Sequence, residues 1–317
     1  MRVLITGSSG QIGTNLGLRL LDEGHFVFGV DRRPNTWTSR IDTLLQDLST
    51  PHRDFSGGIG HVGYPEGIDV VVHLAAHAKV HELVRHPDMA IENVTMTYNV
   101  LEYCRRNKLP VVFSSSREVY GDIHRYITEE SHADFAFTES PYSASKIAGE
   151  AFVYSYAQCY GLPYIVFRFS NVYGRYDNDI ERMERVIPLF IRRVAAGEPI
   201  TVFGESKVLD FTYVDDCVDG IRRGIDVLLE GKDTNHTINL AYGQGHSLVD
   251  MARYIGEALG TEPKMTVEPS QVGEVTHYVA NIGKARAVLG YNPATPLPEG
   301  IRKAVAWSRA WREEHDS

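Results

Sequence analysis

Tyr142 and Lys146 stand four residues apart, with Ser114-Ser115-Ser116 upstream, and this set of side chains can move a proton. Pro141 directly precedes Tyr142. A proline at the first turn has its φ already set for a helix. On a helix starting there, Tyr142 and Lys146 share one face. An ammonium beside a phenol favours the phenolate, so the spacing predicts a tyrosine of lowered pKa that serves as general base near neutral pH. Alone, the pair is also what a solvated helix face shows. Its weight comes from the elements around it.

Val3-Leu4-Ile5 is a compact apolar run of the kind a buried parallel strand shows. It feeds into Gly7-Ser8-Ser9-Gly10-Gln11-Ile12-Gly13 and then a helical pattern from Thr14. Glycines so placed allow a tight turn and let backbone approach a diphosphate, while the helix N-terminus supplies N–H donors. A second strand, Phe26–Val30, ends at Asp31, whose carboxylate can accept both hydroxyls of an adenosine ribose and repels a 2′-phosphate. Arg32 and Arg33 follow and can instead hold such a phosphate, so NAD is favoured over NADP on Asp31 alone. Asp47-Leu48 falls where a third strand can end against an adenine, and Pro51 to Gly67 reads as an irregular surface connection. Asp69–Ala76 is a fourth strand, apolar throughout, in which the small Ala75 and Ala76 let a cofactor lie close.

Ala90–Arg106 carries a helical apolar stripe, and Val111–Phe113 runs into the serine triplet and then Arg117-Glu118. Tyr164–Phe167 leads to Asn171-Val-Tyr-Gly174. This alternation predicts an α/β fold, a Rossmann-type doubly wound parallel sheet with a smaller C-terminal α/β substrate-binding portion. Residues 1–170 form the dinucleotide-binding domain, with part of 210–242, and residues 171–317 are mainly the substrate-binding portion. Within the latter, Ile187–Ile191, Pro199–Gly204 and Asp210–Asp215 read as extended runs between helical stretches.

A net charge of −9 argues against broad nucleic-acid or anionic-membrane binding, and no apolar run reaches membrane-spanning length. Met1–Thr6 reads as a strand rather than a signal peptide. Cys104, Cys159 and Cys217 give no disulfide framework, which suits a reducing cytoplasm. His73, His77 and His81 recur every four residues, but a strand end running into a loop explains them better than a metal site, and no metal is expected.

Together, the glycine fingerprint, His73–Ala76, Asn93-Val94, the serine triplet, Tyr142/Lys146, Asn171–Gly174 and Asp210–Asp215 resemble the extended short-chain dehydrogenase/reductase family, specifically its nucleotide-sugar epimerases and dehydratases. The resemblance implies a held NAD that oxidises carbon 4 of a sugar and later returns the hydride. By that pattern Tyr142 is the base at the carbon-4 hydroxyl, Ser116 hydrogen-bonds the same oxygen, and Lys146 binds the nicotinamide ribose. Cofactor contacts are implied for Gly7, Gly10, Gln11, Ile12, Gly13, Asp31, Arg32, Asp47, Leu48, Leu74, Ala75, Ala76, Asn93, Ser114, Tyr142 and Lys146. Ser116, Arg117, Asn171 and Val186 are implied to bind a nucleotide-diphosphate sugar, a UDP-sugar first. A homodimer through helices at Ala90–Arg106 and Ser143–Tyr160 is implied as well.

Several positions depart from the family pattern. Leu209 and Gln271 replace arginines that grip the diphosphate in relatives, leaving Arg175, Arg182, Arg185 or Lys207 to substitute. Glu118 matches the glutamate that acts near carbon 5 in dehydratases and decarboxylases, and counts among the catalytic residues on that ground. Arg117 cannot donate a proton to a departing hydroxyl, though it can fork onto a uronate carboxylate. Alternatively Arg117 points to solvent with Glu118 paired to it. The expected activity is 4-epimerisation of a UDP-hexose or UDP-hexuronate; the runners-up are dehydration or decarboxylation through Glu118, then an NAD-binding sensor without chemistry.

Overall fold

The computed structural model describes residues 1–50, 66–121, 128–130, 138–177, 185–270 and 275–315. Most of Pro51–Gly67, together with Arg182 and Gln271, lies outside them. The chain begins β1 (Arg2–Thr6), α1 (Gln11–Asp22), β2 (Phe26–Asp31), β3 (Asp42–Leu45) and β4 (Val70–His73). Then come α2 (Val80–Arg85), α3 (Asp88–Asn107), β5 (Val111–Ser116), a 3-10 turn at Arg117–Tyr120, α4 (Pro141–Tyr160) and β6 (Tyr164–Phe169). The later elements are β7 (Asn171–Tyr173), α5 (Val186–Ala195), β8 (Ile200–Phe203), β9 (Val208–Tyr213), α6 (Val214–Glu230) and β10 (His236–Leu240). The described chain closes with β11 (Gly245–Ser247), α7 (Leu248–Leu259), β12 (Met265–Glu268), β13 (His277–Tyr278), α8 (Gly283–Leu289) and α9 (Leu297–His315).

Seven strands form one parallel sheet in the order β10-β6-β5-β4-β1-β2-β3. The winding reverses between β1 and β4, so the loops leaving their carboxyl ends diverge and open a crevice there. Strands β4, β5 and β6 are buried along their whole length, as a sheet covered on both faces requires. One core, with Leu4, Val71, Val100, Phe113 and Val153, lies on the face carrying α3 and α4. The other, from Val3 and Leu16 through Phe167 to Ile301 and Val305, continues without a break into the later elements. There β9 pairs with β7, β11 and β13, while β8 and β12 make a separate parallel pair.

The extended reading of Ile187–Ile191 is corrected by α5. Ile187, Phe190, Ile191 and Val194 are its buried residues, a helical spacing. Pro188 sits in the first turn, where a missing N–H removes no helical bond, so the proline does not exclude a helix.

The buried charge that ties α4 to the sheet is Glu150. It accepts from Arg168 Nε at 2.8 Å and Nη2 at 2.7 Å, from Ser115 Oγ at 2.5 Å, and from the Tyr154 hydroxyl at 2.9 Å. Both partners of the ion pair are 2% exposed, which rules out discounting it as a surface contact. Removing one partner strands the other charge in the core. Glu150→Ala is therefore expected to cost about 3–5 kcal/mol in urea unfolding. Because the two side chains share one network, adding Arg168→Met should cost less than the sum of the single changes. A single-variant loss under about 1 kcal/mol would show that the pair is not what anchors the helix.

Candidate active site

Four segments meet at the carboxyl edge of the sheet: the β1–α1 turn, the loop after β4, the end of β5, and the start of α4. Ser140 caps α4, its hydroxyl accepting from the Ser143 N–H, and Pro141 occupies the first turn as the sequence implies. That start aims Tyr142 and Lys146 at β5. Lys146 Nζ donates to the Ser114 carbonyl at 2.8 Å and lies 5.8 Å from the centroid of the Tyr142 ring.

The expected lowering of the Tyr142 pKa is not what this geometry gives. Burial pushes the phenol up to about 12, outweighing the Ser116 hydroxyl beside it, which favours the phenolate. Glu118 raises it further, and Arg185 and Arg117 oppose. Lys146 is itself so buried that its ammonium is driven down to about 8, with Glu150 holding it up. Helical spacing brings the two side chains together, but it carries no sign that both are dehydrated.

The glycine turn is built for close approach. Gly7 has φ +73, and a Cβ on it would lie 2.7 Å from the Ala75 nitrogen. A Cβ on Gly13 would lie 2.2 Å from the Gly7 carbonyl oxygen, so the turn folds back on its own helix. Helix α1 opens with no side-chain cap and no acidic residue in its first turn, and the buried Gln11 Nε2 has no hydrogen-bond partner among the described residues. Uncapped N–H groups on a glycine-lined helix start fit a dinucleotide diphosphate. At the end of β2, Asp31 accepts from the N–H groups of Ser9 at 3.0 Å and Arg33 at 3.1 Å, which pins the carboxylate beside that turn.

The remaining expected residues divide. Ile12 is half-buried on α1, and Leu74, Ala75 and Ala76 form the loop facing Gly7. Arg32 is exposed, and Asp47, also exposed, is held below the usual carboxylate range by the hydroxyl and N–H of Ser49. Leu48 is buried in the core. Asn93 accepts from the His77 N–H at 2.7 Å and donates to the His77 carbonyl at 3.0 Å and to Ser145 Oγ at 3.1 Å. It clamps the β4 loop to α4. His73 ends a strand, His77 lies in the loop and pairs with Glu92, and His81 is on α2. Among the described residues no group of three metal-ligating side chains converges.

Among the residues expected to bind substrate, Arg117 does not point to solvent; it is 9% exposed and pairs with Glu118 at 3.0 Å. Its Nη2 also donates to Asn171 Oδ1 at 3.3 Å, while Asn171 Nδ2 donates to the Asp210 carbonyl at 2.9 Å. Leu209 is a core residue, and Val186 opens α5. Of the candidate replacement cations, Arg175 pairs with Asp215 and Lys207 is buried. Arg185 bonds the Val172 carbonyl at 3.2 Å and reaches back across the fold to Gln11 Oε1 at 2.7 Å. The Gln11 contact has no signal in the sequence, since 174 positions separate the partners.

A doubly wound parallel sheet with a glycine turn at its switch point and a Ser/Tyr/Lys set beside it defines a dinucleotide-dependent enzyme of the short-chain dehydrogenase/reductase kind. Residues 3–241 match the NAD dependent epimerase/dehydratase family, and the chain belongs to it. An uncharacterised UDP-glucose epimerase of Bacillus subtilis is 30% identical, over 97% of this chain and 98% of the relative. Among solved structures, a Thermus thermophilus UDP-glucose 4-epimerase complexed with NAD superposes with a TM-score of 0.82 at 29% identity, covering 98% of this chain and 99% of that one. A Bacillus cereus UDP-glucuronic acid 4-epimerase, in complex with UDP-glucuronic acid and NAD, gives 0.83 at 26% identity for 98% of this chain and 100% of its own.

The displaced pKa of Lys146 makes a pH-dependent expectation. The unfolded chain holds this proton up to about 10.5, whereas the fold releases it near 8, so the strain of the buried ammonium is fully present below 8. Its contribution to stability therefore improves as pH rises from 8 to 10.5. In nucleotide-free protein with 13C-labelled lysines, one resonance should titrate near pH 8 and vanish in Lys146→Met. If every lysine titrates above about pH 10, the ammonium is better solvated than its burial implies.

Proposed function

We propose that this protein is a UDP-sugar 4-epimerase, acting on a UDP-hexose or UDP-hexuronate. The observation that carries the reading is the convergence of Ser116, Tyr142 and Lys146 beside an open glycine turn, in a chain whose relatives include UDP-sugar 4-epimerases. Gly7, Gly10, Gln11, Ile12 and Gly13 would hold the NAD diphosphate, Asp31 the adenosine ribose, and Lys146 the nicotinamide ribose. Bound there, NAD would supply a hydride acceptor for sugar carbon 4 that is restored within the cycle, so no net oxidant would be consumed and the epimers would differ in the face that receives the hydride. Tyr142 takes the proton from the carbon-4 hydroxyl and later returns one. Ser116 steadies the charge that grows on that oxygen. Arg185, whose charge reaches Tyr142 and whose guanidinium bonds Gln11, takes the phosphate-gripping part that Leu209 cannot play.

A second reading, loss of water or carbon dioxide from the 4-keto sugar, is favoured by the buried Glu118 carboxylate near Tyr142. A homodimer is supported by the α3–α4 pair, which leaves Ile91, Tyr98, Phe152 and Tyr160 exposed on its helices. Three free cysteines support a cytoplasmic location.

Two measurements test the epimerase assignment. Purified protein, denatured, should release NAD, and incubation with a panel of UDP-sugars should yield a product of unchanged mass and new retention time. Tyr142→Phe should keep NAD and lose about a hundredfold or more in rate. Near-normal turnover by that variant would remove Tyr142 from the chemistry. For assembly, sedimentation should give a dimer that Ile91→Glu with Phe152→Glu converts to monomer; an unchanged dimer would place the interface elsewhere.

A further inference from the structure

Glu118 is a hazard to a 4-epimerase. A ketone at carbon 4 acidifies the C–H bonds on carbons 3 and 5. A carboxylate near such a sugar can break one of them: the proton passes to the carboxylate, and the electron pair becomes an enolate shared with the carbon-4 oxygen. Neither oxidant nor reductant is involved. The result is loss of configuration at carbon 3 or 5, or expulsion of a hydroxyl one carbon further on. An enzyme that changes carbon 4 alone has to suppress this step.

Arg117 is placed to do so. The two residues are neighbours on the 3-10 turn that follows β5, and Arg117 Nη2 meets Glu118 Oε1 at 3.0 Å. The guanidinium is held from other sides as well, by Asn171 Oδ1 at 3.3 Å and over the Tyr278 ring at 5.9 Å from its centroid. Glu118 is fixed by its backbone too, its N–H donating to Ser116 Oγ at 3.2 Å. Both charges act on Tyr142, in opposite senses, so the pair sits within the field of the reacting oxygen. Resting on the epimerase reading, we propose that Arg117 is a positioning residue that holds Glu118 in a buried ion pair and thereby keeps its carboxylate from removing a proton at carbon 3 or 5 of the 4-keto sugar.

The physical ground is the cost of the alternative. Were Glu118 to take up a proton, Arg117 would remain charged and buried without its counterion. Arginine cannot relieve that by giving up its own proton, and for the same reason it supplies no acid to a departing hydroxyl. Without Arg117 the balance reverses, because a carboxylate buried without a cation accepts a proton far more readily.

The test is hydrogen exchange during turnover. The NAD-loaded enzyme is incubated with UDP-glucose and with UDP-glucuronate in heavy water, and deuterium at carbons 3 and 5 is read by NMR, per epimerisation event. The wild type should give an epimer without label at either carbon. Arg117→Gln and Arg117→Ala should place deuterium at carbon 3 or 5 at a level at least about tenfold above the background of the wild-type product. Adding Glu118→Gln should remove it, which a merely structural role for Arg117 would not produce. Label in the wild-type product, or Arg117 variants that epimerise without label, would overturn the proposal. So would folded, NAD-bearing Arg117 variants that neither epimerise nor exchange, since Arg117 would then serve epimerisation itself. If Arg117→Ala does not fold, Arg117→Gln, which can keep the Asn171 contact, decides. A wild type that yields no epimer from any UDP-sugar would instead defeat the epimerase reading.

Discussion

The site depends on how closely helix α4 lies against strand β5. Gly149 makes that possible: a Cβ there would fall 2.4 Å from Phe113 Cζ, inside the ring's own volume. With the helix at this distance, three successive turns dock on the serine run that ends the strand. Lys146 reaches the Ser114 carbonyl, Glu150 reaches the Ser115 hydroxyl, and Tyr142 comes beside Ser116. A helix pushed outward to admit a methyl group would lengthen all three contacts together. The catalytic spacing is thus a packing property before it is a chemical one.

Close packing also dehydrates the charges it brings together. Tyr142 is pushed up to about 12 and Lys146 down to about 8 by burial, so each group is displaced toward its neutral form. Glu150, one turn further along α4, instead collects four hydrogen bonds, and its partner Arg168 lies 4.7 Å from the Tyr120 ring centroid. The fold therefore holds two kinds of buried charge. One is fully matched and anchors α4; the other is left poorly matched where substrate and cofactor chemistry would occur. Such imbalance marks a functional site more than a structural one.

How legible this is in the sequence varies with the range of the interaction. The glycine turn, the strand end at Asp31, and the Tyr142/Lys146 face are local patterns, and the fold reproduces them; β5 runs on through Ser116, past the Phe113 at which its apolar run stops. Local patterns say nothing of burial, which is why helical spacing alone gives the wrong direction for the Tyr142 shift. Arg117-Glu118 can be read as a solvated pair because adjacent opposite charges often are, and nothing local shows that residues distant in the chain, Asn171 and Tyr278 among them, pack on Arg117. The run at Ile187–Ile191 is ambiguous for another reason. Five apolar-rich residues with a proline fit a strand as well as a first helical turn, and the length of α5 settles it.

The parts that no local pattern shows are the contacts between residues far apart in the chain. Arg185 bonds Gln11 at the start of α1, and Asn15 on the same helix donates to the Arg175 carbonyl at 3.1 Å. Trp37, after β2, stacks edge-on against Trp311 of α9 at 4.8 Å and lies 5.8 Å from Tyr176. Asn35, two residues earlier, donates to the Ser8 carbonyl at 3.2 Å within the glycine turn. A displacement of that turn is therefore felt through Asn35 and Trp37 at α9, and through Gln11 and Arg185 at the start of α5. Contacts of this kind tie the glycine turn to the start of α5 and to α9. Reacting groups gain rate only when they are held in place, and contacts that fix the glycine turn against later elements serve that end.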